Sequence, residues 1–280
     1  MNDLNLKDKV AIITGGAGII CSAMAKSLAS QGVKTVILDL NPDAAQEVAR
    51  QIENEFNASS FGISASVVDK KSLEMAMQQI YKRFGGVDIL INGAGGNSPD
   101  ATSKVEMMEG TVDENPEETF FGLKIDGFDK VFDLNFKGTL IPSLVFASDM
   151  VKKRSGVIVN ISSMNSFRPL TRIAAYSAAK AAVNNFTQWL AVHFAKTGVR
   201  VNAIAPGFLL TNQNRFLLFD EKTGNPTERG KKILKGTPVG RYCLPEELTG
   251  TLIYLVSDLS KFVTGVVIPV DGGFSAYSGV

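Results

Sequence analysis

Histidine occurs once among the 280 residues of this chain and cysteine only twice, and those scarcities exclude whole classes of chemistry. A lone His193 cannot build a multi-histidine metal centre and argues against a Ser-His-Asp hydrolytic triad, so no metal site is expected. Cys21 and Cys243, far apart in sequence, cannot form a disulfide framework or a zinc knuckle. An excess of charge of one sign is missing too. With 29 basic and 28 acidic side chains the net charge is +1, which leaves no electrostatic footprint for nucleic acid or an anionic membrane. No apolar run approaches the ~18 residues needed to span a bilayer, and the first eight residues hold no apolar signal core. The expected compartment is the cytoplasm.

What is present is an ordinary globular composition, 45% hydrophobic and 20% charged, enough to bury a large core. Short β-branched runs at Val10–Thr14, Thr35–Leu38, Val87–Ile91, Val157–Ile161, Val199–Ile204 and Val266–Val270 alternate with amphipathic stretches at Ser22–Gln31, Ala44–Phe56, Ser72–Phe84 and Ala174–Lys196. The runs are apolar almost throughout, as when helices cover both faces of a parallel sheet. The alternation predicts an α/β fold: one Rossmann-like, doubly wound parallel sheet of about seven strands, in a single domain over 1–280. Two stretches break the rhythm. Residues 97–129 are polar and acidic and look inserted after the fourth strand, and 212–242 carry a solvated turn with flanking helical pieces. Both follow strand C-terminal ends, where open α/β sheets bind ligands, and the second is expected to act as a substrate lid.

The first strand runs into Thr14-Gly-Gly-Ala-Gly-Ile-Ile-Cys-Ser22 and then a helix, a turn that can present backbone N–H groups to a pyrophosphate. The second strand ends at Asp39. A carboxylate there accepts both hydroxyls of a ribose and repels a 2′-phosphate, so NAD is expected over NADP. Further on, Tyr176-Ser-Ala-Ala-Lys180 puts a phenol and an ammonium on one helix face, and Ser162-Ser163 ends a buried strand thirteen residues before the tyrosine. Together they could bind a carbonyl and move a proton. A unit charge at ~4 Å and an effective dielectric of ~20 contributes roughly 4 kcal/mol, so Lys180, helped by an oxidised nicotinamide, could bring Tyr176 down toward working pH.

The set Thr14-Gly15, Asp39, Asn92-Gly-Ala-Gly95, Asn135, Ser163, Tyr176-x-x-x-Lys180, Pro206-Gly207 and Thr211 resembles the short-chain dehydrogenase/reductase family over the whole chain. The resemblance implies an oxidoreductase. Tyr176 would be its acid/base, Lys180 the partner that lowers the tyrosine pKa and holds the nicotinamide ribose, Ser163 a hydrogen-bond donor to the substrate oxygen, and Asn135 the holder of a relay water. It also implies NAD contacts from Gly15, Gly18, Ile19, Ile20, Asp39, Ser66, Val67, Asn92, Ala94, Gly95, Pro206, Gly207, Leu209 and Thr211, besides Tyr176 and Lys180. A homotetramer is implied as well, with Ala174–Lys196 and the C-terminal strand as contacts.

Three departures stand out. The last two glycines of the family's Thr-Gly-x-x-x-Gly-x-Gly align with Ile19 and Cys21. The second asparagine of Asn-Asn-Ala-Gly is Gly93. The acid that often meets the adenine aligns with Ser66, while Asp69 is expected to cap the following helix.

Segments at 94–97, 160–172, 185–194, 207–215 and 271–279 are similar to a narrower branch, bacterial D-mannonate oxidoreductases (fructuronate reductases), which interconvert D-mannonate and D-fructuronate with NAD(H). A small sugar-acid substrate should meet arginine and amides. Asn97, Asn165, Arg168, Arg172, Asn212, Asn214 and Arg215 lie in segments that should rim the nicotinamide, with Asn97, Asn165 and Arg215 taken as substrate ligands and Arg215 as the carboxylate partner. Alternatives are another polyol, a gluconate-type acid or a 3-oxoacyl substrate, and a dinucleotide-binding regulator without turnover. His193 is expected to be structural and Cys21 a small packing residue.

Overall fold

Residues 4–110, 115–211 and 215–279 are described by a computed structural model of the chain. In the described residues, seven strands form one all-parallel sheet: β1 (Val10–Thr14), β2 (Lys34–Asp39), β3 (Ser60–Ser64), β4 (Ile89–Asn92), β5 (Gly156–Ile161), β6 (Val199–Pro206) and β7 (Val267–Val270). Their order, β3-β2-β1-β4-β5-β6-β7, makes this a doubly wound Rossmann-like α/β domain. Residue parity sorts the core into two layers. Ala11, Ile13, Ile37, Ile91 and Val159 pack on one face, against α1 (Ile19–Ser30), α2 (Pro42–Phe56) and α9 (Thr249–Val256). Ile12, Val36, Leu38, Leu90 and Ile158 pack on the other, against α3 (Lys70–Phe84), α5 (Gly138–Lys153) and α6 (Ala174–His193). Burial on both faces is why these strands read as unbroken apolar runs.

The run at 60–64, not named among the predicted strands, is β3. It lies at the sheet edge as Ser-Phe-Gly-Ile-Ser, where one open side removes the need for a continuous apolar sequence. Helices start earlier than their apolar periodicity: α2 at Pro42, capped by Asn41 Oδ1 accepting from the N–H groups of Asp43 and Ala44 at 3.1 Å, and α3 at Lys70, capped by Asp69 as expected. Between α4 (Ile125–Phe132) and α5 one π-helical turn, Asp133–Lys137, carries Asn135. Such turns cost regular hydrogen bonding and commonly mark functional positions. The 212–242 stretch holds α7 (Arg215–Leu218) and α8 (Glu228–Gly236), which pack on each other through Leu218, Ile233 and Tyr242.

The strand order reverses between β1 and β4, whose last residues, Thr14 and Asn92, are register partners. The helices that follow these two strands, α1 and α5, pack on opposite faces of the sheet, which makes this the topological switch point, the crevice where such sheets bind nucleotides.

Candidate active site

The turn after β1 is shaped for close backbone approach. Gly15 has φ +61°, and a Cβ there would come within 2.8 Å of Ala94 Cα in the loop after β4. Thr14 ties the two loops together, its Oγ1 accepting from the N–H groups of Gly93 at 3.0 Å and Ala94 at 3.3 Å. Gly18 precedes the first turn of α1 without any side-chain cap, so the N–H groups of Ile19 and Ile20 face the crevice end of the helix. Asp39 does not cap α2. Its Oδ2 accepts from the Ala17 N–H and its Oδ1 from the Asn41 N–H, both at 3.1 Å, which fixes the carboxylate beside the glycine turn. That arrangement fits the adenosine end of a dinucleotide: a glycine turn with no room for a side chain, an uncapped helix N-terminus for phosphate, and an anchored carboxylate for ribose hydroxyls.

The catalytic candidates converge at the C-terminal ends of β5 and β6. Ser163, Asn165, Tyr176, Lys180, Gly95, Pro206, Gly207, Leu209, Thr211 and Ile20 all line one cleft of about 320 Å³. Tyr176 hydrogen-bonds to Ser163, and the Lys180 ammonium lies 5.7 Å from the centre of the Tyr176 ring. Lys180, 3% exposed, donates to the Ile161 carbonyl at 2.8 Å. Burial brings its pKa down to about 8, the Cys21 thiol acting in the opposite direction. Burial raises the Tyr176 pKa above the ordinary phenol value, and the hydrogen bond from Ser163 offsets only part of that. The expected depression of Tyr176 invokes Lys180 together with an oxidised nicotinamide; in the protein alone burial dominates. The Lys180 ammonium is turned to the Ile161 backbone carbonyl, and burial makes it hold its own proton less tightly.

Asn135 reaches the same region from the π turn. Its Nδ2 donates to the carbonyls of Gly96 at 2.7 Å and Val131 at 2.8 Å, and its Oδ1 accepts from the Gly96 N–H. These bonds clamp the loop after β4 to the π turn. Cys21 sits under that loop. Burial pushes its thiol up to about 12, so it remains protonated and acts as a packing group.

Other predicted residues are placed elsewhere. The side chain of Asn92 is buried, its Nδ2 donating to Ser143 Oγ and Asn160 Oδ1 in an interior network. Val67 is buried against Gly138, and the Ser66 N–H bonds Ser72 Oγ. Asn97 is exposed and bonds Thr102 within its own loop. Arg168 donates to the Tyr277 carbonyl, and Arg215 lies 5.2 Å over the Phe219 ring, outside the cleft lining. Asn212 and Asn214 lie outside the described residues. His193 stacks on Trp189, with ring centres 4.8 Å apart on α6. Among the described residues no group of three or more histidine, cysteine or acidic side chains could hold a metal ion, and no helix is long and apolar enough to cross a membrane.

Sequence reasoning missed Phe208, Met164 and Gly96 in the cleft wall, and it missed what holds Ser163 in place. Asn184, one turn beyond Lys180, bonds Ser162 Oγ and donates to Ser166 Oγ at 2.7 Å, and Ser166 Oγ donates back to the Ser163 carbonyl. The only sequence signal was the pair of hydroxyls at the end of β5. Asn165 completes the wall. Its residue is 6% exposed, its N–H donates to Ser163 Oγ at 3.2 Å, and its side-chain Oδ1 is buried with no partner.

A model of the family described as short chain dehydrogenase matches residues 9–221. An uncharacterized oxidoreductase of Haemophilus influenzae is 52% identical over 277 residues, covering 99% of this chain and 96% of that protein. The uncharacterized oxidoreductase UxuB of Bacillus subtilis is 49% identical over 277 residues, covering 99% and 98%. Among solved structures, one of a candidate D-mannonate oxidoreductase from Haemophilus influenzae with bound NAD superposes with a TM-score of 0.93 at 51% identity, over 99% of this chain and 98% of that one. The glycine turn, the Ser163–Tyr176 pair, the buried Lys180 and these likenesses lead to one assignment. The chain is an oxidoreductase that belongs to the short-chain dehydrogenase family.

Proposed function

We propose that the protein is an NAD(H)-dependent oxidoreductase that interconverts D-mannonate and D-fructuronate. The observation that carries the substrate reading is the orphaned Oδ1 of Asn165, buried in the cleft wall two residues from Ser163. A buried acceptor without a donor costs ~1–3 kcal/mol, and a substrate hydroxyl next to the reacting carbon removes that cost. An acyl chain brings no such donor. The similar protein described as a candidate D-mannonate oxidoreductase supports the same choice.

In the oxidising direction, the substrate hydroxyl sits between Ser163 and Tyr176. The Tyr176 phenolate takes the hydroxyl proton while the carbinol C–H leaves as hydride, so one hydride and one proton (two electrons and two protons in all) depart and a carbonyl remains. Bound NAD⁺ supplies the hydride acceptor. In reduction, the Tyr176 hydroxyl gives the proton back to the developing alkoxide, and the Ser163 hydroxyl steadies that oxygen. The buried Lys180 ammonium favours the phenolate and meets the cofactor ribose. Asp39 sets the preference for NAD by facing the adenosine ribose with a fixed anion. The homotetramer implied by the family would cover the exposed Trp189 and Val192 on α6.

The test is a panel of hexonates, ketouronates, neutral alditols and 3-oxoacyl thioesters, assayed with NAD(H) and NADP(H) by nicotinamide absorbance. D-Mannonate and D-fructuronate should give the highest kcat/KM. A higher value for any acyl thioester or neutral alditol rejects the reading.

A further inference from the structure

A second hollow of about 430 Å³ opens beside the catalytic cleft, and Phe208 lines both. Its floor is apolar, with Leu170, Ile173, Phe208 and Ile233, and Ile173 immediately precedes the helix that carries Tyr176. Its walls come from the two irregular stretches, Thr102 and Glu106 on one side and Glu228, Arg229 and Lys232 of α8 on the other.

The charges on this rim do not cancel. Glu106 is taken by Lys232, with both carboxylate oxygens at 3.0 Å, and Glu228 by Lys231 at 2.7 Å. Two guanidinium groups remain, Arg172 and Arg229, and among the described residues neither has an ion-pair partner. Arg172 is half-buried and held from behind: its Nε donates to the Ser103 carbonyl at 3.2 Å, and the Ser103 N–H donates to the Arg172 carbonyl at 2.9 Å. With Nε spent, the plane of the guanidinium is fixed while the terminal nitrogens keep the fork that matches a carboxylate. The other arginines first considered are engaged elsewhere, Arg168 with the Tyr277 carbonyl and Arg215 over Phe219.

We infer that this hollow is the subsite for the substrate's carboxylate, gripped by Arg172 and Arg229 while the far end of the molecule reacts at Tyr176. The inference rests on the sugar-acid reading and replaces Arg215 as the carboxylate partner. Arg172 is half-buried and Arg229 exposed, so the apolar floor shields the ion pair from water on one side, and the Glu106–Lys232 pair joins the two walls across the opening.

The experiment measures KM and kcat for D-mannonate, calorimetric binding of D-mannonate to the enzyme–NADH complex, and NADH affinity, for wild type, Arg172→Gln and Arg229→Gln. Each variant should raise KM and the D-mannonate Kd about ten- to a hundred-fold, the span of one charge-assisted hydrogen bond, with kcat within about three-fold and NADH affinity unchanged. Arg172→Gln also loosens the Ser103 strap. Arg229→Gln breaks no ion pair among the described residues and keeps the test valid if the first variant folds poorly. Unchanged KM and Kd in Arg229→Gln, or NADH affinity falling in step with them, overturns the subsite. If wild type turns over D-mannonate and both variants match it, only the subsite falls. If wild type neither binds nor turns over any hexonate, the sugar-acid reading falls with it.

Discussion

The sulfur of Cys21 fills the space that a side chain at residue 93 would need: a Cβ built on Gly93 overlaps Cys21 Sγ. Position 21 holds a cysteine where the family usually has glycine, and position 93 a glycine where it usually has asparagine. The two departures are one exchange of volume across the crevice, between the first turn of α1 and the loop after β4.

The exchange predicts non-additive mutants. Gly93→Ala should destabilise the protein by ~1–3 kcal/mol through overpacking, lowering Tm by roughly 2–10 °C, and should weaken NADH binding. Adding Cys21→Gly should recover part of both losses; recovery is partial because the Thr14 carbonyl also lies 2.9 Å from the added carbon. Thermal melts and NADH titrations that show simple addition of the two losses would refute the coupling.

Cofactor choice is predicted to rest on Asp39. Asp39→Ala should raise KM for NAD about ten-fold and improve the relative use of NADP, because an anion fixed by the Ala17 and Asn41 N–H groups disappears. Steady-state kinetics with both dinucleotides check this. A wild-type kcat/KM that favours NADP contradicts it.

The pH profile should differ between directions. Lys180 loses its proton as pH rises through about 8, because burial has lowered its pKa. Tyr176, raised by burial, stays protonated well beyond that. On the proposed mechanism carbonyl reduction uses the Tyr176 hydroxyl beside a charged Lys180, so its kcat/KM should be level below about 8 and decline above. Alcohol oxidation, on the same proposal, uses the phenolate, so it should rise with pH. A reduction rate constant that stays flat through the alkaline range would show that the charge on Lys180 does not matter.

The parts of this architecture that depend on burial pattern were legible in the sequence. Apolar strands, capping by Asp69 and the alignment of Ser163, Tyr176 and Lys180 all follow from local spacing. What was not legible depends on tertiary approach. The edge strand Ser60–Ser64 carries little apolar signal because only its inner side is fully covered. The role of Asn92 in the Asn160–Ser143 network appears only once β4 and β5 pair in register. The Cys21–Gly93 exchange was visible as two separate anomalies, since nothing local connects them. Arg215 looked well placed by its distance in sequence from Thr211, yet the chain turns it onto Phe219, while Arg172 keeps an unspent fork toward the hollow. Tyr176 and Lys180 were correctly paired, but the pKa argument weighed their charge without the desolvation that both groups undergo.

The central claim is that the Tyr176 hydroxyl moves the proton. Replacing Tyr176 by Phe removes that hydroxyl and keeps the ring that packs beside Lys180, so single-turnover reduction of D-fructuronate by preloaded NADH isolates the chemical step. The account predicts a rate at least ~100-fold below wild type, with NADH affinity within a few-fold. A loss of only a few-fold in the single-turnover rate, with NADH bound normally, would contradict it.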